Sequence, residues 1–275
     1  MMHTRSIPST GEAMPVIGLG TWQAFDIGSD AAAMAERRAV LDVFFEHGGR
    51  MIDSSPMYGS AETVVGNLLA AMKAHDRAFV ATKVWTTGDL QGRSQMQDSA
   101  RKLGVATMDL MQVHNLVDWR VHLRTLREWK EQGLVRYIGI THYTVPALDD
   151  LERIIRDETI DFVQLVYSIG TRVAEKRLLP LAAERGVAVI ANKPLGSGSY
   201  TARARGKPLP PWCKEFGITT WAQLMLKYVV SHPAVTCAIP ATGNAEHMRD
   251  NALAGHGAMP DASQRARMAA AWDAL

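Results

Sequence analysis

Hydrophobic positions along the chain fall into two alternating kinds of segment. Short, unbroken apolar runs occur at 16–20, 51–53, 79–84, 108–113, 137–140, 162–165, 187–191 and 235–239. They are rich in Val, Ile, Leu, Met and Phe and lack the in–out alternation of a half-exposed strand. Such runs mark strands buried on both faces, as in a parallel sheet covered by helices. Between them, apolar residues recur every three or four positions. Met34, Val40, Leu41, Phe44 and Phe45 share one face over 31–47, and Val64, Val65, Leu68, Leu69 and Met72 share one over 61–75. Segments 93–103, 118–131, 145–156, 173–185 and 219–231 behave alike, with Gly104, Gly133 and Gly186 where helix C-caps are expected. Eight strand candidates, each followed by helical spacing, predict an α/β fold, a (β/α)8 TIM barrel, as one domain over 1–275.

The rival architecture, an open doubly wound sheet, wants a glycine-rich fingerprint after its first strand. Here Gly18-Leu19-Gly20 runs into Thr21-Trp22-Gln23, and the third glycine is absent. Additions flank the barrel: an N-terminal β-hairpin from 4–8 and 13–16, and a short C-terminal helical segment over 261–275. The loop at 196–211, with Gly196, Gly198, Gly206, Pro208, Pro210 and Pro211, reads as mobile and lies on the face where barrels carry their sites.

Composition narrows the partners. Of 275 residues, 30 are Lys or Arg and 28 Asp or Glu, a net charge of +2 without a basic cluster, which excludes nucleic acid as the expected partner. No stretch approaches the roughly 20 apolar residues of a membrane span. Cys213 and Cys237 are too few for a disulfide scaffold or a four-thiolate zinc site and suit a reducing compartment. The start of the chain has no apolar signal core. A soluble cytoplasmic protein is expected.

Polar residues at the ends of the apolar runs carry the chemistry. Asp53 ends the second run, Tyr58 follows in the same turn, Lys83 closes the third and His114 stands just past the fourth. Consecutive barrel strands bring their C-terminal ends side by side, so acid, phenol, ammonium and imidazole converge. A free tyrosine titrates at about 10, too high for easy proton exchange near neutrality. A neighbouring ammonium stabilises the phenolate and lowers that value, and a carboxylate keeps the ammonium charged and in place. The imidazole can hydrogen-bond a substrate oxygen. The group suits protonation of a carbonyl oxygen but lacks a hydride source, which must come from a cofactor. Each residue also has a structural alternative: His114 as a satisfied buried histidine, Lys83 as a simple partner of Asp53. A metal-hydrolase reading with Asp53, His114 and His142 as ligands lacks a compact ligand motif, and no metal site is expected.

Several segments together resemble the aldo/keto reductase superfamily over nearly the whole chain. They are Gly18-Leu19-Gly20-Thr21-Trp22, Asp53-Ser54-Ser55-Pro56-Met57-Tyr58-Gly59 with Glu62 and Gly66, Ala81-Thr82-Lys83, Asp109 to His114, and Gly133 to Ile140. The resemblance implies a barrel that binds extended NAD(P)H and reduces an aldehyde or ketone to an alcohol. It implies Tyr58 as proton donor, Lys83 and Asp53 in support, and His114 orienting the carbonyl. Gly20, Thr21, Trp22 and Asp53 fall in its cofactor-contacting segments. Gln164 matches its nicotinamide-carboxamide contact. Its Ser-Asn pair is Thr141-His142 here, with His142 in place of the amide, and its stacking aromatic is Asn192. Lys193, Leu195, Gly196 and Ser197 fall in its pyrophosphate segment. Thr242, His247 and Asn251 fall in its adenosine-phosphate segment, where the usual lysine is Ala241 and the usual arginine His247. The resemblance implies NADPH ahead of NADH. A short C-terminal segment implies an open substrate pocket, with Trp22, Trp85 and Trp119 as apolar walls. The alternative function is a nucleotide-binding, redox-sensing regulatory subunit with little turnover. A small carbonyl compound is the expected substrate.

Overall fold

A computed structural model describes residues 1–275. The two short strands β1 (Thr4–Ser6) and β2 (Ala13–Pro15) pair antiparallel as a hairpin. Eight strands then pair in parallel, each with the next: β3 (Leu19–Gly20), β4 (Met51–Asp53), β5 (Phe79–Val84), β6 (Met108–His114), β7 (Val135–His142), β8 (Phe162–Val166), β9 (Ala188–Asn192) and β10 (Cys237–Ala238). Parallel bridges from Ile17 to Ala238 and from Gly20 to Ala241 close β3 onto β10. The eight-stranded parallel barrel read from the apolar runs is present. Its first and last strands are shorter than those runs, and Ile17 and Ala241, outside both strands, take part only in isolated bridges.

Helices α1 (Ala31–Glu46), α2 (Ala61–Met72), α3 (Asp89–Leu103), α4 (Trp119–Glu131), α5 (Leu148–Asp157) and α6 (Leu178–Glu184) follow β3 to β8 in turn. After β9 come a short helix, α7 (Ser199–Ala204), and then α8 (Trp221–Val230); α9 (Ala245–Leu253) and α10 (Ala262–Asp273) follow β10. One expected helix is broken. The segment at 173–185 begins as a separate turn, Val173–Lys176, and restarts at Leu178 after Arg177 leaves helical geometry at φ −139°. Pro180 lies in the first turn of α6, where its missing N–H costs nothing; further inside a helix it would break one. The segment at 196–211, expected to be mobile, holds α7. The C-terminal segment forms α10, begun by a capping box in which Asp261 and Gln264 satisfy each other's backbone N–H groups.

Apolar runs lack alternation because both faces of each strand are buried. Met51, Phe79, Leu110, Tyr137, Phe162, Ile190 and Cys237 pack inside the barrel, where Ile7 and Met14 of the hairpin plug the bottom. Ile52, Val80, Met111, Ile138, Val163 and Val189 face outward onto the helices. Side chains alternate along a strand, so the same inner faces, followed upward, end in Asp53, Lys83, Gln112, His114, Thr141, Gln164 and Asn192. The barrel floor is oil, with the rings of Tyr137 and Phe162 at 5.5 Å. Its upper layer is polar.

Candidate active site

Lys83 lies at the centre of the upper layer with no exposed surface. Its ammonium donates to Asp53 Oδ2 at 2.6 Å and to the carbonyl of Ser54 at 2.6 Å. The other Asp53 oxygen, Oδ1, accepts from the amides of Gln112 at 3.1 Å and Gln164 at 2.9 Å. A buried charge without such partners would cost several kcal/mol. Burial favours the neutral amine, but Asp53 and Tyr58 together, by charge and hydrogen bonding, outweigh it and hold Lys83 above its ordinary value.

The turn after β4 carries Tyr58 back over this pair. Lys83 Nζ stands 5.1 Å from the centre of the Tyr58 ring, and the His114 ring meets that ring edge-on at 5.9 Å. Tyr58 departs from the expected behaviour. Burial pushes its phenol upward, the Lys83 charge opposes this and the Asp53 charge adds to it, and the net displacement is above the usual value. Lys83 lowers Tyr58 relative to burial alone, not below a free phenol. His114 is pushed down to about 2, first by burial and then by the charges of Lys83 and His142, and stays neutral.

Support for this cluster reaches outward through Glu62 on α2. Its buried carboxyl accepts from Thr82 at 2.5 Å and Ser99 at 3.1 Å, so it ties the residue beside Lys83 to α3. Burial raises its carboxyl, and the two hydroxyls oppose that rise. Gly66 serves the same join: a Cβ there would lie 2.0 Å from the carbonyl of Lys102, so only glycine lets α2 approach α3 this closely.

Above the polar layer opens a cavity of about 1280 Å³, larger than most drug-sized pockets. Asp53, Tyr58 and His114 face it, whereas Lys83 lies behind Asp53. Of the residues expected to hold a cofactor, Gly20, Thr21, Trp22, Thr141, Gln164, Asn192, Lys193, Leu195, Ser197, Thr242, His247 and Asn251 line it. Gly196 and His142 do not. Strand alternation puts Thr141 inward and His142 outward. The His142 ring stacks on Tyr143 at 5.6 Å, and its Nδ1 accepts from the Thr144 N–H at 3.3 Å. The ring expected in place of the amide thus stands outside the cavity lining. Tyr143 lines the cavity instead, with the Lys193 ammonium over its ring at 4.3 Å. Gln164 is already engaged, since its amide nitrogen serves Asp53 and its oxygen accepts from Thr141 at 3.2 Å.

Trp22 and Trp85 face the cavity as half-exposed walls, and Trp119 does not. Sequence reasoning missed Gln112, Ser55, Tyr143 and Arg205. A signal existed for Gln112, an amide within an apolar run and in phase with Leu110 and His114. Arg205 had none; it reaches the cavity wall only because α7 folds over the rim.

A parallel (β/α)8 barrel with a lysine–aspartate pair beneath a tyrosine and a histidine defines a class that comparison with known proteins identifies. The Aldo/keto reductase family profile matches residues 16–273. The chain is 26% identical over 260 residues to the methylglyoxal reductase YeaE of Escherichia coli (strain K12), covering 91% of this chain and 89% of that protein. It is 32% identical over 179 residues to the methylglyoxal reductase DkgA of Yersinia pestis, 64% of this chain and 57% of that one. Among solved structures, an aldo/keto reductase from Klebsiella pneumoniae in complex with NADP and acetate superposes with a TM-score of 0.80 at 25% identity, covering 95% of this chain and 93% of that one. The chain belongs to the aldo/keto reductase family, whose members are oxidoreductases.

Proposed function

We propose that this protein, acting as one domain over 1–275, reduces small aldehydes or ketones to alcohols with NADPH in preference to NADH. One observation carries the reading: Tyr58 and His114 face the cavity directly above the buried Asp53–Lys83 pair. The cavity walls fit a dinucleotide. Asn192 is 9% exposed, and its Oδ1 is buried without a partner, an acceptor available to the carboxamide at the position where relatives place an aromatic ring. Gly198, with φ +88° and nothing within 4 Å of where a Cβ would stand, leaves the backbone of the loop open to a diphosphate. Thr242 and Asn251, in the segment that resembles an adenosine-phosphate site, line the same cavity, and Arg205 adds a cation to its wall, which supports a phosphate-bearing cofactor.

Bound reduced nicotinamide supplies the hydride. Tyr58 gives its proton to the carbonyl oxygen, and its raised value keeps that proton in place until charge develops. The fixed Lys83 ammonium then stabilises the phenolate, at no cost of reorganisation at the moment of transfer. His114, neutral throughout, holds the oxygen by a hydrogen bond. Trp22, Met57, Trp85 and Tyr143, all more than a third exposed, turn apolar surface toward the cavity and shield the reacting atoms from water. The two free, buried thiols support a cytoplasmic location.

Oxidation of NADPH with methylglyoxal and a panel of aldehydes and ketones tests this. The wild type should turn over, and Tyr58→Phe should lose about 10²–10⁴-fold while binding NADPH equally well. Wild-type-like turnover in that variant removes Tyr58 as the proton donor. Tight nucleotide binding without turnover in the wild type returns the protein to a sensing role.

A further inference from the structure

The His114 ring has two nitrogens, and which one carries the proton decides whether the cavity meets a donor or an acceptor. Its Nδ1 lies 3.0 Å from Ser55 Oγ, its sole protein partner; Nε2 has none, on a ring that faces the cavity. Ser55 has no exposed surface. Its oxygen has one other neighbour, the backbone N–H of Met57 at 3.4 Å, which is a donor and can only use a lone pair. The hydroxyl proton therefore has one acceptor within reach, Nδ1. Were the imidazole proton on Nδ1, the Ser55 hydroxyl would be buried with nothing to donate to, at a cost of about 1–3 kcal/mol. Full satisfaction of the pair requires Ser55 to donate and Nδ1 to accept.

We propose that Ser55 is a positioning residue that locks His114 in the Nε2–H form, so that the imidazole offers the cavity a fixed hydrogen-bond donor beside the Tyr58 hydroxyl. The neighbouring serine has a different task, since its hydroxyl accepts from Thr21 and its carbonyl holds Lys83. The pair Ser54-Ser55 thus fixes both groups that flank Tyr58: the ammonium through a carbonyl and the imidazole through a hydroxyl. Protonated imidazole is excluded by the same burial that keeps His114 neutral. An Nε2–H donor suits an acceptor oxygen that gains negative charge, such as a carbonyl oxygen under reduction. That last step rests on the proposed carbonyl reduction; the tautomer itself does not.

The test has two arms. In the resting protein, long-range ¹H–¹⁵N correlation spectra of the histidines read each ring directly. His114 should show a protonated Nε2 and a bare, hydrogen-bonded Nδ1 in the wild type, and Ser55→Ala should move the Nδ1 resonance and mix the tautomers. A protonated Nδ1 in the wild type, or an unchanged His114 pattern in Ser55→Ala, overturns the proposal whether or not any substrate turns over. In the second arm, kcat of Ser55→Ala should fall about tenfold, the equivalent of one hydrogen bond, with NADPH affinity by fluorescence quenching unchanged. An equal loss of NADPH affinity marks a general disturbance of the site and overturns the positioning role.

Discussion

The two halves of the barrel rim are built on different terms. On β4 and β5 both buried charges of the cluster are answered within the protein: Asp53 by one ammonium and two amides, Lys83 by a carboxylate and a carbonyl. From β7 to β10 the walls are left incomplete. Asn192 keeps an unpartnered oxygen, the Lys193 ammonium lies over a ring face, and Ala241 stands where the family resemblance leads one to expect a lysine. The first half must hold a charge in the dry interior and tolerates no missing partner. The second is shaped to be completed by what binds, so its residues can change while the fold persists.

Substitutions can break this contrast. Lys83→Met leaves the Asp53 carboxylate buried without its counter-charge and should cost about 3–5 kcal/mol of stability, read as a lower urea midpoint, together with loss of turnover. Lys193→Ala, on the incomplete half, should stay within about 0.5 kcal/mol of wild type in the same titration. If both variants unfold alike, the contrast fails.

pH sharpens it next. If Tyr58 is the proton donor proposed above, its raised value means that kcat for reduction should stay level through neutrality and fall only above about pH 10, by about tenfold per unit. His114, at about 2, should add no inflection between about pH 5 and 8. A limb near pH 7 that vanishes in Tyr58→Phe would mean that Lys83 prevails over burial.

Smaller effects belong to the groove. Ala241→Lys should raise the preference for NADPH over NADH about tenfold, near 1.4 kcal/mol, by restoring a cation at the 2′-phosphate. Arg205→Ala should weaken NADPH a few-fold, at about 0.5–1 kcal/mol for an exposed cation, and leave NADH unchanged. Equal losses for both cofactors would place Arg205 on the diphosphate instead.

The site was legible in the sequence to different depths along this same divide. Asp53, Tyr58, Lys83 and His114 stood out because charge at the end of a buried apolar run must be paired or used. Gln112 carried the same signal more quietly. His142, a single residue at a strand end, reads as facing the rim, whereas the alternation set by Thr141 turns it away from the cavity lining. Loop 196–211 read as glycine- and proline-rich coil, and the part that folds into α7 depends on packing against α8 and the C-terminal helix, where Arg203 lies 4.7 Å from the Trp272 ring.

Sequence alone determined the barrel, the order of its strands and the four groups at their ends, since periodicity and strand length are local properties that survive without contacts. Tertiary structure alone decided the charge states and the donors. Tyr58 sits above an ordinary phenol, His114 is neutral and Ser55 becomes its hydrogen-bond partner. These depend on how much water is excluded and on which neighbour lies within about 3 Å, distances set by the closed barrel and not by spacing along the chain.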